Sequence, residues 1–175
     1  MIMFMITFGF FGLSGQGVET AVRLFSKACF LSGMYVQGFT MIGRTNYGWP
    51  VRGYVKVDIM PILSKQIEDP DFYLVMDPSF SDAKAFKEGS TVIFNSPSKV
   101  SSDALKRRKI KTYSVDATEI ALQQLKSNIP NTAMLGAVAK LYSKVSMKNL
   151  KTALEADNIA KVNMNAVEEG YRSVR

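Results

Sequence analysis

The chain has 175 residues, of which 47% are hydrophobic and 21% charged, a composition that fits one ordinary globular domain and excludes disordered and fibrous classes. It contains no His and a single Cys. A zinc cluster, a haem histidine, an iron–sulfur cage or a Cys–His dyad therefore cannot be assembled from this chain, so its expected metal ligands and catalytic side chains are none. The lone Cys29 has no internal disulfide partner and the start lacks a positively charged signal-peptide pattern, so a cytoplasmic setting is expected.

The apolar opening, residues 2 to 11, is far shorter than the roughly 20 residues that span a bilayer, and no membrane partner is expected. It is continuous rather than alternating, as a strand buried on both faces of a parallel sheet requires. From Val18 to Leu31 the residues Val18, Ala21, Val22, Phe25 and Cys29 recur at helical spacing. Tyr35 to Ile42 reads as extended, Arg44 to Pro50 as loop, and Val51 to Val57 as a strand whose alternation predicts one wetter face. Phe72 to Met76, Thr91 to Phe94 and Ile110 to Val115 read as further core strands, with a helix predicted around Ser79 to Phe86. Asp116-Ala117-Thr118 opens a helix through Leu125, and helices at Thr132 to Tyr142, Met147 to Ala156 and Ala160 to Tyr171 complete the chain. Strands alternating with helices predict an α/β fold, a three-layer, largely parallel sheet with helices on both faces, in a single domain over residues 1–175.

Net charge is +7, but only Lys106-Arg107-Arg108-Lys109 forms a basic run. It reads as a solvated loop or helix end, with docking to an acidic partner or phosphate as the alternative. No aromatic and basic residues interleave along one surface, so no nucleic-acid partner is expected.

Gly12-Leu13-Ser14-Gly15-Gln16-Gly17 stands where the first strand hands over to the first helix, so free backbone N–H groups and the positive helix end converge there. Gly12, Gly15, Gln16 and Gly17 are candidate binding residues for a phosphate, a carboxylate or a partner's backbone. A tight turn that packs the helix onto the sheet is the alternative. The dinucleotide fingerprint lacks its acidic residue near the second strand, and no Lys-Ser or Lys-Thr follows the loop as in nucleoside triphosphatases. In Gly48-Trp49-Pro50-Val51-Arg52-Gly53 a rigid bend sits beside the only Trp and two arginines, Arg44 and Arg52, which suits an interface or a phosphate; a core Trp49 and a solvated Arg52 are the alternative. Asp77, Asp116 and Glu119 are better explained as capping and turn residues than as acids or bases.

These stretches resemble the gamma subunit, or gamma domain, of the 2-oxoacid:ferredoxin oxidoreductases, the pyruvate type above all. The opening glycine loop with Val18 to Ala21, then Gly48-Trp49-Pro50-Val51-Arg52, Val115-Asp116-Ala117-Thr118, and Asn131-Thr132-Ala133-Met134-Leu135-Gly136-Ala137 stand in the family's order across residues 6 to about 155. The resemblance implies a complex that decarboxylates a 2-oxoacid on thiamine diphosphate, passes electrons through iron–sulfur clusters to ferredoxin and yields an acyl-CoA. It implies alpha, beta and ferredoxin-like delta subunits as partners, those cofactors on the partner chains, and coenzyme A admitted or held near Gly15, Gln16 and Gly17, with Arg52 available to a phosphate or partner carboxylate. Ser14 replaces a usual Gly, and Thr45-Asn46-Tyr47 replaces a usual Glu-Arg-Arg. A stand-alone nucleotide- or anion-binding module built on residues 12–17 is the rival reading.

Overall fold

A computed structural model describes residues 5–42, 48–67 and 69–175. Arg44 and the Thr45-Asn46-Tyr47 departure lie outside the described residues. The apolar opening forms β1 (Ile6–Leu13), a central strand whose Phe8 and Phe10 face one side and Phe11 the other, all buried. After it come α1 (Val18–Leu31), β2 (Tyr35–Ile42) and β3 (Pro50–Asp58), then β4 (Phe72–Val75) and β5 (Thr91–Asn95). A short α2 (Asp103–Arg107), β6 (Lys111–Val115), and α3 (Ala117–Leu125), α4 (Asn131–Leu141), α5 (Met147–Ala156) and α6 (Ala160–Ser173) follow.

The six strands make one sheet in the order β2-β3-β1-β4-β5-β6. β1, β4, β5 and β6 run parallel, whereas β3 is antiparallel to both β1 and β2. The largely parallel expectation holds on one side of β1 and gives way on the other. No stretch of helical length separates Ile42 from Pro50, and parallel neighbours need a crossover of a dozen residues or more.

α1 buries the predicted stripe of Val18, Ala21, Val22, Phe25 and Cys29 against the sheet. There Phe8 meets Phe25 with ring centroids 4.7 Å apart and Tyr142 at 5.0 Å, edge to face. α4 lies in the same layer, where it is buried from Asn131 through Ala139, and α6 packs on it. The opposite face carries Phe11, Tyr54, Tyr73, Phe86, Phe94 and Leu105 and is covered by α2 and two 3₁₀ turns, Pro78–Phe80 and Ala83–Ala85. The single helix expected around Ser79 to Phe86 is thus two turns. Asp77 and Asp82 each accept a bond from the backbone two residues on, Ser79 N and Lys84 N, and so restart the chain.

The basic run closes α2: Lys106 and Arg107 form its last turn, Arg108 donates to the Phe86 carbonyl at 2.8 Å, and Lys109 turns left-handed. This is the predicted helix end. The wetter face expected on β3 is absent beyond Arg52, because Tyr54 and Lys56 are both buried. Lys56 is 0% exposed, and its Nζ donates to the carbonyls of Ser64 (2.6 Å) and Gln66 (2.8 Å) in the segment that follows β3.

Cys29 is buried and free, and burial pushes its thiol far above the usual range. The folded chain is expected to leave a disulfide-exchange reagent unreacted at pH 8 and to react with one equivalent once denatured, read by absorbance. Prompt labelling of the folded chain would contradict this packing.

Candidate functional site

The site grows from the end of β1. Leu13 N donates to Gln16 Oε1 at 2.8 Å, Gln16 N donates to the Leu13 carbonyl at 3.0 Å, and Gln16 Nε2 donates to Asp77 Oδ2 at 3.1 Å. Asp77 also accepts from Ser79 N and Ser79 Oγ, at 3.0 and 2.7 Å. Both ends of the Gln16 amide are therefore committed within the chain. Gln16 is a strut that ties the loop to the end of β4 rather than a side chain turned to a ligand. Gly12 sits beneath it, where a Cβ would press on Gln16 Oε1, Val18 and Met76.

The two loops singled out in the sequence meet. Ser14 N donates to the Trp49 carbonyl at 2.7 Å and Gly48 N to the Ser14 carbonyl at 3.2 Å. Trp49 is 42% exposed, so it is not a core residue. Arg52 goes elsewhere: its guanidinium lies over the Phe11 ring, 5.5 Å from the centroid, on the sheet face opposite the one where Val51 packs. The structure does not bring Arg52 to the glycine loop.

Gly17 caps α1 at φ 79°, ψ 27°, with no side-chain hydrogen bond to the helix end. Its carbonyl accepts from Ala21 N at 2.9 Å and from Asn131 Nδ2 at 3.2 Å, which fastens the loop to the start of α4. Asn131 Oδ1 in turn accepts from Thr132 N, and Thr132 Oγ1 lies 3.2 Å from Asn163 Oδ1 of α6. Between these elements opens a cleft of about 590 Å³. Gly15 and Gly17, the first turn of α1, and Asn131 and Asn163 give it a polar side; Leu13, Val51, Leu125, Ile129 and Val162 give it an apolar one.

Among the described residues no Lys or Arg lines this cleft, and Glu19 does. The start of α1 adds a positive helix end, worth about 0.3–1 kcal/mol for a charge at an exposed terminus. Such a lining suits a chain of amides and methylenes, with at most one anionic group at the helix end, better than a cluster of phosphates. Asn163, Ser127 and Ile129 carry no motif and were not singled out in the sequence; Asn131 was visible as the start of α4 and of the Asn131–Ala137 stretch, with no binding role attached to it.

Among the described residues no group of three His, Cys, Asp or Glu could hold a metal ion, and no helix is long and apolar enough to cross a membrane.

A mixed α/β sheet whose first helix starts at a glycine loop above a cleft lined by amides, backbone and aliphatic side chains defines a domain of the α/β class. Residues 7–173 match the pyruvate ferredoxin/flavodoxin oxidoreductase family, and the chain belongs to it as a gamma-type subunit. It is 37% identical over 177 residues to the pyruvate/ketoisovalerate oxidoreductases common subunit gamma of Thermococcus litoralis, covering 95% of this chain and 96% of that protein. The crystal structure of pyruvate oxidoreductase subunit PORC from Thermotoga maritima superposes with a TM-score of 0.82 at 26% identity, over 98% of this chain and 97% of that one. The 2-oxoglutarate:ferredoxin oxidoreductase of Magnetococcus marinus, solved with 2-oxoglutarate, coenzyme A and succinyl-CoA bound, shares the fold (TM-score 0.81, 17% identity) over 96% of this chain but only 30% of its own.

Proposed function

We propose that this chain is the gamma subunit of a pyruvate or related 2-oxoacid:ferredoxin oxidoreductase, in which the complex converts a 2-oxoacid to an acyl-CoA and passes electrons to ferredoxin. Its partners are the alpha, beta and ferredoxin-like delta subunits. Thiamine diphosphate and the iron–sulfur clusters belong to those partners, since a chain with no His and one buried Cys offers a cluster no ligand set.

The share of this chain in the reaction is to shape the approach of coenzyme A. The observation that carries the reading is the cleft under the glycine loop. Its amide and aliphatic lining suits the amide-and-methylene arm of coenzyme A: backbone N–H groups at the start of α1 can donate to carbonyl oxygens, Asn131 and Asn163 present amides, and Leu13, Val51 and Val162 pack on the methylenes. Gly15 and Gly17 form the rim, while Gly12 and Gln16 hold the loop in shape. Arg52, on the other sheet face, is available to a partner carboxylate rather than to the same ligand.

Gln16→Ala, measured in the assembled complex, is expected to raise the KM for coenzyme A about tenfold, equivalent to roughly 1.4 kcal/mol, and to leave the KM for the 2-oxoacid unchanged. Unaltered coenzyme A dependence in an intact complex would remove the proposal.

A further inference from the structure

The end of the sheet opposite the cleft carries a second feature. The C-terminus of α1, the start of β2 and the end of β3 meet there, with Tyr35 opposite Asp58 in the ladder. Residues 28–42 hold no charged residue, nor do residues 59–64, in a chain that is 21% charged. This region instead exposes Tyr35, Ile59, Met60 (64%), Leu63 (89%) and Ile67. Soluble monomers scatter such side chains singly, and a gathered set marks an interaction surface. Loss of charge together with enrichment in aromatic residues and Met is the composition of an interface core.

The loop that presents Leu63 is not left to find its shape on contact. Buried Lys56 donates to the carbonyls of Ser64 and Gln66, and Gln37 Nε2 donates to the Ile62 carbonyl at 2.9 Å. Leu63 is thereby held projecting between three fixed carbonyls. The buried lysine fixes a surface loop by donating to two of its carbonyls, which an apolar side chain of the same length could not do. It reduces the ordering that a partner would otherwise have to impose, which is how preorganised anchors gain affinity.

We infer that residues 59–67, with Tyr35 on the same sheet face, form the docking surface for another subunit of the same oxidoreductase, which meets them with an apolar groove bearing a carboxylate at its rim for Lys65. Lys65 is the sole charge in residues 59–67 and is exposed. A second copy of this chain fits less well, because two projecting loops facing each other across a two-fold axis bury little area, whereas a projecting loop fills a groove. The Magnetococcus marinus enzyme carries this fold within a much longer chain, of which it is 30%, so there the fold has other parts of the same polypeptide as neighbours.

The test is co-expression of the complete oxidoreductase with a tag on this chain, comparing wild type with Leu63→Asp and with Met60→Asp. Both side chains are exposed, so the melting temperature of the isolated chain is expected to stay within about 2 °C, while co-purifying partner falls at least tenfold. Lys56→Met, which keeps the apolar side chains but frees the loop, is expected to weaken assembly by a smaller factor. Undiminished partner in both Asp variants overturns the inference, as does loss of self-association by this chain alone with assembly intact. Failure here shows as normal complex yield, whereas failure of the coenzyme A reading shows as an unchanged KM in the Gln16→Ala complex, so the two are told apart.

Discussion

Gly136→Ala is expected to lower the melting temperature of the isolated chain by about 6–12 °C, from a loss of roughly 3 kcal/mol at the upper end of what overpacking a core causes. The reason is the crossing of α4 and α6. A Cβ on Gly136 would run into the Val167 carbonyl, and a Cβ on Gly170 into the Ala133 carbonyl, so each helix offers the other a bare stretch of backbone. Backbone cannot rotate away as a side chain tip can. α4 cannot retreat either, because it is buried from Asn131 through Ala139. Gly170→Ala is expected to have a similar effect, and the two together less than their sum, since a single separation of the helices relieves both clashes. A thermal melt followed by circular dichroism measures this, and a shift under 2 °C for either variant would show that the helices have room. The contact also bears on the site: Asn131 lies on α4 and Asn163 and Val162 on α6, so helices forced apart widen the cleft they line.

This helix pair shows what could be read in the sequence and what could not. The stripe Val18, Ala21, Val22, Phe25 and Cys29 specified α1 to the residue, because a buried helix face repeats with the turn of the helix and that period is local. The continuous apolar run of β1 announced a strand covered on both faces for a similar reason. Gly136, by contrast, stood inside a readable helix without disclosing which neighbour required it, since the carbonyl it accommodates is 31 residues away in the chain. Lys56 misled the alternation rule on β3: a charged residue reads as solvent-facing, and only the fold shows the two carbonyls that satisfy it in the interior. Gln16 read as a candidate ligand for the opposite reason, because a free amide and one already spent on Leu13 and Asp77 look alike in a sequence. The glycine loop and the Gly48-Trp49 stretch were each visible, but their contact through Ser14 was not.

Gly17→Ala is expected to be the most damaging change in the loop, lowering stability by roughly 2–3 kcal/mol and raising the KM for coenzyme A in the complex by more than the tenfold expected of Gln16→Ala. Two effects add. Gly17 holds φ 79°, a left-handed conformation that costs a residue with a Cβ about 1–2 kcal/mol. Its new Cβ would also strike the Asn131 side-chain amide, which must then leave the Gly17 carbonyl it now bonds. Asn131→Ala alone is expected to cost about 1–2 kcal/mol, through the lost bonds to that carbonyl and from Thr132 N. In the Gly17→Ala, Asn131→Ala double variant the amide that the Cβ strikes is gone, so the backbone strain and the two lost Asn131 hydrogen bonds remain without the clash. The double variant is therefore expected to be less destabilised than the sum of the two single changes by about 1 kcal/mol, a coupling that denaturant melts of the four proteins resolve. Strictly additive losses would mean that Gly17 and Asn131 act independently, and the glycine loop would then not be held to α4 by the contact that frames the cleft.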